Sequence, residues 1–389
     1  MKVLVVGGGI SGLSLALALA NENIETEVFE QNDFVDTTGT GIQLSPNGSH
    51  IVEALPLDGI LADIGTAPQN LQVRDGITNK DLCSFSLNSE KPAKCSMRTG
   101  YYHVARSSLI ELLSRSARKN TYVSLHAKQE VKQVIQKEDS ASIVLSDVEV
   151  DADFVVGCDG IHSLTHNSAF KQRQKRWTGF VAYRILCDLS QVPSRFAECP
   201  VLSLGPYRHI VTYPLFHENK LNCVFIVPES EESLESWSQL GNRQQLHDHF
   251  RLWSPDIGDL VNVLPEDKLF KWGLYRDNSL KRYWNGNRIF LIGDACRSVL
   301  PFTAQGAALA LEDVALLTRF LCRWSNSEDK GVRFRHYSAK RKRRTIQIDL
   351  MNRACQLSYH TPRMLGKFRD YSLPLGYVAV KKIVHDFVI

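Results

Sequence analysis

The sequence predicts an α/β fold: a parallel sheet flanked by helices, interrupted by antiparallel strands that build a second domain of α+β character. Three observations predict it. The chain opens on a short apolar run, a glycine-rich turn, a Leu/Ala-rich stretch and a second β-type run, together one βαβ unit. Residues 177–274 are strand-rich and aromatic. Residues 288–313 then return to a buried strand, an acidic turn, a Pro-containing loop and a helix opened by Gly306 and Ala307.

Residues 3–6 form a continuous apolar run, as a covered parallel strand requires. Residues 13–20 are helical in composition, and 26–30 form the next strand. Segment 71–87 carries Asp75-Gly76 and Asn79-Lys80 between β-type residues and reads as a hairpin excursion. Residues 107–118 return to helix and 154–157 to buried strand. Strands follow at 181–185, 210–213 and 222–227, a helix at 242–253, a strand at 289–292, and helices at 307–324 and 333–355. This divides the chain into a discontinuous nucleotide-binding domain (1–70, 98–175 and 275–360), a substrate domain (71–97 and 176–274) and a C-terminal helical segment (361–389).

A length of 389 residues, 43% hydrophobic and 23% charged, suits a soluble enzyme of two domains. The net charge of +4 points neither to nucleic acid nor to a membrane surface. The basic run Lys340-Arg341-Lys342-Arg343-Arg344 reads as a solvated helix face. Nine scattered cysteines without a C-x-x-C pair argue against a disulfide framework or a metal site, and fit a cytoplasmic protein. No stretch has the roughly 18 apolar residues of a membrane span. Lys2 and Ala18-Leu19-Ala20 mimic a signal peptide, but Gly7, Gly8 and Gly9 interrupt the apolar run.

Those glycines belong to Gly7-Gly8-Gly9-Ile10-Ser11-Gly12, a G-x-G-x-x-G between strand and helix. Gly7 permits the tight turn, Gly9 the approach of a pyrophosphate, and Gly12 the close packing of helix on strand. Glu30 ends the next strand and suits a ribose hydroxyl. Ser11 and Gln31 complete this part of the expected cofactor site. The motif predicts a Rossmann-type dinucleotide site and does not by itself separate FAD from NAD.

Four further segments follow in order: Gly39-Thr40-Gly41-Ile42-Gln43-Leu44-Ser45-Pro46-Asn47; Arg106; Gly157-Cys158-Asp159-Gly160; and Gly293-Asp294-Ala295 with Pro301 and Gln305-Gly306. In this register they resemble the single-component FAD-dependent aromatic hydroxylases, the group of p-hydroxybenzoate, salicylate and 6-hydroxynicotinate hydroxylases. The resemblance runs to about Arg344. It implies a p-hydroxybenzoate hydroxylase-like fold and non-covalent FAD, with NADH or NADPH as co-substrate. Glu30 would hold the adenosine ribose, and Arg106 would reach the flavin side. Asp159 would serve FAD and the nicotinamide donor, and Asp294 the ribityl chain. Gly41, Ile42 and Gln305 would adjoin the cofactor. The N–H groups of Gly306 and Ala307 would face the flavin pyrimidine, where a helix N-terminus favours the anionic reduced ring.

Thr178-Gly179-Phe180-Val181-Ala182-Tyr183-Arg184 and Arg208-His209-Ile210-Val211-Thr212-Tyr213 are similar to the salicylate and hydroxynicotinate branch. On a strand, residues 209, 211 and 213 share a face, so His209 and Tyr213 would look at one ligand. The resemblance implies hydroxylation of a phenolic or hydroxy-heteroaromatic substrate by way of a flavin C4a-hydroperoxide. His209 would accept the phenol proton, directly or through Tyr213, and Pro301 would shape the loop between flavin and substrate. The partners expected are an aromatic small molecule, NAD(P)H and O₂, with the protein a monomer or homodimer. The family usually reads Gly-Asp-Ala-x-His-Pro; here Arg297 and Ser298 replace His and Pro, and His166 stands where the Asp-Gly motif usually closes on Arg. Arg297 is therefore expected beside the flavin and the donor path, drawing an anionic substrate. Oxidation of a larger polyketide, alkaloid or isoprenoid intermediate stays open, as does a flavin-binding protein without turnover.

Overall fold

Short strands, apolar through at the centre and mixed toward the Val123 edge, make the first sheet. Ile289–Leu291, Phe154–Gly157, Lys2–Val6, Glu25–Phe29 and Val123–His126 lie side by side in that order, every pair parallel. Leucines and alanines of the Ile10–Ala20 helix are buried nearly all round, because the helix is wedged between this sheet and the helices Arg106–Arg118 and Gly306–Leu321. The other face is covered by an antiparallel meander, Gln133–Gln136, Ala141–Val144 and Glu149–Ala152. The structure is a computed structural model that describes residues 1–35, 39–88, 100–170, 175–235, 239–277, 283–324, 330–385 and 387. Part of the expected 71–97 segment (89–97), and residues 386, 388 and 389 of the expected C-terminal segment, lie outside these residues.

The second sheet has seven strands in the order Phe270–Asp277, Lys175–Asp188, Lys220–Pro228, Arg208–Leu215, Val201–Gly205, Asn70–Asp75 and Asp81–Ser86. Only the pairing of Val201–Gly205 with Asn70–Asp75 is parallel. Side chains alternate between its faces. Val181, Tyr183, Ile210 and Phe225 pack under the helices Arg243–Phe250 and Pro255–Asn262. Ala182, Ile226, Trp272 and Leu274 face the other way, onto Leu300, Phe302 and Cys355. That second face looks toward the parallel sheet. A small sheet of Gly41–Leu44, Tyr102–Ala105 and Gly65–Thr66 fills the join.

Helix Lys330–Tyr359 closes the side of this join, and Gly366–Val380 lies across the 70–86 hairpin, where Tyr377 stacks on Phe85 at 4.0 Å. The basic run is a solvated face only in part: Lys340, Lys342 and Arg343 are exposed, but its other two residues turn inward. Arg341 and Arg344 are fully buried and paired with Glu312, whose carboxylate would otherwise be desolvated alone in the helix core. Among the described residues no helix is long and apolar enough to cross a membrane.

Candidate functional site

The five parallel strands end on one edge, the place where open α/β sheets hold ligands. After Lys2–Val6, Gly7 takes φ 103° and its N–H donates to the Phe29 carbonyl at 2.8 Å. A Cβ on Gly12 would stand 1.9 Å from the Gly7 carbonyl oxygen, so only glycine lets the helix start this close to the strand. A Cβ on Gly9 would meet nothing nearer than an Arg106 guanidinium nitrogen at 4.0 Å. This open, cation-flanked space at a helix N-terminus has the geometry of a phosphate site. The Glu30 carboxylate accepts from the N–H groups of Gly8 (2.7 Å) and Asn32 (3.0 Å), which fix its direction. Gln31 is exposed beside it. Ser11 lies against the Gly293 turn, its Oγ 2.6 Å from where a Gly293 Cβ would be.

Asp159 is engaged within its own turn. It accepts from Ser163 Oγ at 2.5 Å, from the Thr165 N–H at 2.9 Å and from Thr165 Oγ1 at 3.0 Å, bonds that shape the start of Leu164–Ala169. Asp294 is exposed after Ile289–Leu291. Gln305 is buried: its Nε2 donates to Ser45 Oγ at 2.7 Å, and its Oε1 accepts from Asn47 at 3.0 Å. Its side chain thus ties the helix start to the 45–47 segment, leaving backbone to face outward. A Cβ on exposed Gly306 would meet nothing within 4 Å, and Ala307 is half-buried beside it. The first N–H groups of a helix lack intrahelical partners, so Gly306–Leu321 presents donors to this space.

Gly41 and Ile42 bring the second sheet to this edge. The Gly41 N–H donates to Asn222 Oδ1 at 2.8 Å, and a Cβ on Gly41 would fall 2.7 Å from the Tyr213 ring. The Arg106 N–H bonds the neighbouring Thr40 carbonyl at 2.9 Å. At the other end of the same strand face, His209 packs against Phe302, one residue past Pro301, with ring centroids 5.5 Å apart. Its Nδ1 lies 2.8 Å from His360 Nε2. His209 and Tyr213 share the face but stand about 13 Å apart along the strand. Tyr213 instead stacks on His103 at 4.4 Å, and no hydrogen bond joins it to His209 among the described residues. Burial, reinforced by His360, pushes the His209 pKa well below the usual value, and burial pushes the Tyr213 phenol well up. Near neutral pH His209 is a neutral ring and Tyr213 a donor.

A family model described as FAD binding domain matches residues 1–349. This chain belongs to that FAD-binding family. It is 29% identical over 382 residues to the 3-amino-4-hydroxybenzoate 2-monooxygenase PtnB3 of Streptomyces platensis, covering 96% of this chain and 92% of that one. It is 27% identical to the 6-hydroxynicotinate 3-monooxygenase of Bordetella bronchiseptica, covering 89% of each. The crystal structure of HpxO from Klebsiella pneumoniae with FAD and uric acid superposes with a TM-score of 0.81 at 22% identity, covering 99% of this chain and 97% of that one. A salicylate hydroxylase substrate complex superposes with a TM-score of 0.77 at 18% identity, covering 100% of this chain and 99% of that one. The fold is thus the p-hydroxybenzoate hydroxylase-like one the sequence predicts. The residues present fit FAD: an open phosphate cradle at Gly9, a directed carboxylate at Glu30 and free space before the Gly306 helix.

Arg297 departs from expectation. It does not face the FAD edge but is buried in the core, its guanidinium 2.9 Å from Asp313 Oδ2. Burial opposes its charge, but Asp313 outweighs burial and raises the pKa. The same carboxylate oxygen accepts the Gly293 N–H at 2.9 Å, so Arg297 braces the turn that carries Asp294 and is too well neutralised to draw an anionic substrate. His166 is likewise buried, its backbone N–H on Ser163 Oγ and its ring against Phe170. Two residues gained significance only in three dimensions. Arg184, half-buried, lies near both Tyr213 and Asp294, and desolvation lowers its pKa; it ends the Thr178–Arg184 segment, yet nothing there marks its direction. His360 lies 151 residues from its partner His209, just past the end of the Lys330–Tyr359 helix and beyond the 333–355 stretch that composition marks as helical.

Proposed function

We propose that this protein is an FAD-dependent monooxygenase that uses NADH or NADPH and O₂ to hydroxylate a phenolic or hydroxy-heteroaromatic substrate. One observation carries the reading: a single strand face runs from the cofactor loop, where Tyr213 touches Gly41, to the Pro301 turn, where His209 touches Phe302. A ring on that face lies between the cofactor edge and a neutral imidazole. The aromatic monooxygenases among the relatives support the same reading.

When bound, FAD supplies two-electron reduction and oxygen activation. The protein supplies the rest. The N-terminus at Gly9 holds the pyrophosphate, with the Arg106 guanidinium beside it rather than at the flavin side that the resemblance implies, Glu30 holds a ribose, and Asp294 the ribityl chain. The Gly306 and Ala307 N–H groups stabilise negative charge on the ring. His209 Nε2 takes the substrate hydroxyl proton, which makes the ring carbon beside it electron-rich. With its Nδ1–H donated to His360 Nε2, Nε2 is the nitrogen that faces the substrate as acceptor. Tyr213 donates near the cofactor loop, and Phe302 and Ile226 exclude water. In this reading, 1–70, 98–175 and 275–360 carry FAD, 71–97 and 176–274 carry substrate, and 361–389 covers them, in a cytoplasmic monomer or homodimer. Because Arg297 is inward and neutralised, it gives no ground for a non-phenolic scaffold. The test is NAD(P)H oxidation stimulated by hydroxybenzoates and hydroxypyridines, with product mass read out. A gain of one oxygen is expected; NAD(P)H consumption unaffected by every aromatic supplied would refute the reading.

A further inference from the structure

Helix Gly366–Val380 has two faces, and packing accounts for only one of them. Arg369, Leu373 and Tyr377 form the inner face. Leu373 packs with Val73 and Phe85 of the 70–86 hairpin, Tyr377 stacks on Phe85, and Arg369 reaches Asp75 at 3.4 Å. The opposite face reads Met364, Phe368, Tyr371, Leu375 and Val378, a recurrence every three or four residues that follows one side of a helix. These five side chains are 95%, 77%, 86%, 77% and 62% exposed. A helix docked on a protein body ordinarily turns its polar side to water; this one turns an apolar stripe outward. Neighbouring exposed apolar residues of this size mark an interaction site.

Charge selects the occupant. Arg363, Lys367, Lys381 and Lys382 are exposed along the same stretch. Lys367 lies on the apolar side, one turn before Tyr371, and Lys382 continues the series four residues after Val378. The one acid of 361–385, Asp370, is half-buried and held by Arg369 at 2.7 Å. Five basic residues against that acid give 361–385 a net charge of +4, equal to that of the whole chain, so the near-neutral total hides a local excess. A second copy seated symmetrically would set this patch against itself and oppose like charges. An apolar stripe accompanied by cations matches a bilayer with anionic head groups. Among the described residues no helix is long and apolar enough to cross a bilayer, so the contact is with its surface.

We propose that helix Gly366–Val380 lies in the surface of an anionic membrane, with Phe368, Tyr371, Leu375 and Val378 among the acyl chains and Lys367 and Lys382 at the lipid phosphates. The stripe faces away from the substrate-sheet hairpin, so membrane binding is separate from the chemistry at His209 and stands or falls apart from the hydroxylase reading.

Co-sedimentation of the FAD-loaded protein with vesicles tests it, using phosphatidylcholine alone and phosphatidylcholine mixed with phosphatidylglycerol. Binding should require phosphatidylglycerol and weaken as salt is added. The Phe368→Ser/Leu375→Ser variant should lose binding while keeping its flavin absorbance and urea midpoint, because both side chains lie in solvent. The Lys367→Gln/Lys382→Gln variant should bind about 30-fold more weakly, the usual worth of two cations at an anionic surface. Failure to sediment with either vesicle would overturn the inference, as would equal binding to both or unaltered binding by the variants. A wild-type dimer that Phe368→Ser/Leu375→Ser dissociates, read by light scattering without lipid, would give the face to a second copy and overturn it too.

Discussion

His209 has two ring nitrogens, and the fold commits only one of them. Nδ1 is held at 2.8 Å by His360, while Phe302, Tyr359 and His360 pack around the ring. Burial keeps the ring neutral across the neutral range, so its other nitrogen can accept a hydrogen bond from the substrate hydroxyl. His209→Ala should therefore lower kcat by about 100-fold, a typical general-base contribution. Flavin absorbance should be unchanged, since no FAD-edge residue touches this ring. Turnover equal to wild type would remove the catalytic role. Sequence periodicity alone put His209 and Tyr213 on one face, because a two-residue repeat is a local property. It could not show that Tyr213 would stack on His103 rather than pass protons to His209, because that contact joins strands over a hundred residues apart.

The Gly306–Leu321 helix does two jobs with opposite requirements. Its first turn is open, with nothing within 4 Å of a Cβ on Gly306, as the proposed flavin contact requires. One turn and more further on, Glu312 and Asp313 are fully buried and must be neutralised. Arg341 pairs with both, Arg344 with Glu312, and Arg297 with Asp313. Arg344 also donates to the Ile383 and Val384 carbonyls, so the cluster ties the C-terminal segment to the cofactor helix. Removing one partner of such a cluster leaves a buried charge alone. Asp313→Ala should cost about 3–5 kcal/mol in urea unfolding and weaken FAD retention through the Gly293 turn. A loss below about 1 kcal/mol, the worth of a surface pair, would show the cluster to be dispensable. The helix was legible from its Leu/Ala content, and the glycine fingerprint from its spacing. The cluster was not: Lys340–Arg344 looks the same whether its partners are water or carboxylates some thirty residues earlier.

Across the whole molecule, four histidines are buried where the substrate sheet meets the C-terminal segment and the small sheet: His103, His209, His360 and His385. Burial drives the pKa of His103 down to about 3. His360 falls to about 4 through burial and Arg208, and His385 to about 4 through burial, Lys381 and Arg344. His209 moves the same way. In the unfolded chain each would titrate near about 6.5. Their folded values are depressed, so below that pH the unfolded chain binds protons that the folded one refuses. The stability they confer is complete above about pH 6.5 and is lost on acidification toward pH 4, at up to about 1.4 kcal/mol per pH unit for each. His385 packs edge-on to Tyr101 at 5.4 Å and near Tyr377, so the C-terminal segment carries part of this sensitivity. The urea midpoint should therefore fall steeply from pH 7 to pH 5, and hydrogen exchange over 360–385 should accelerate in the same interval. His385→Phe, which keeps a ring in that slot and cannot titrate, should flatten the slope. A midpoint independent of pH over this interval would mean that these histidines are solvated in solution, and would break the link between the C-terminal segment and the substrate sheet on which the His209–His360 contact depends.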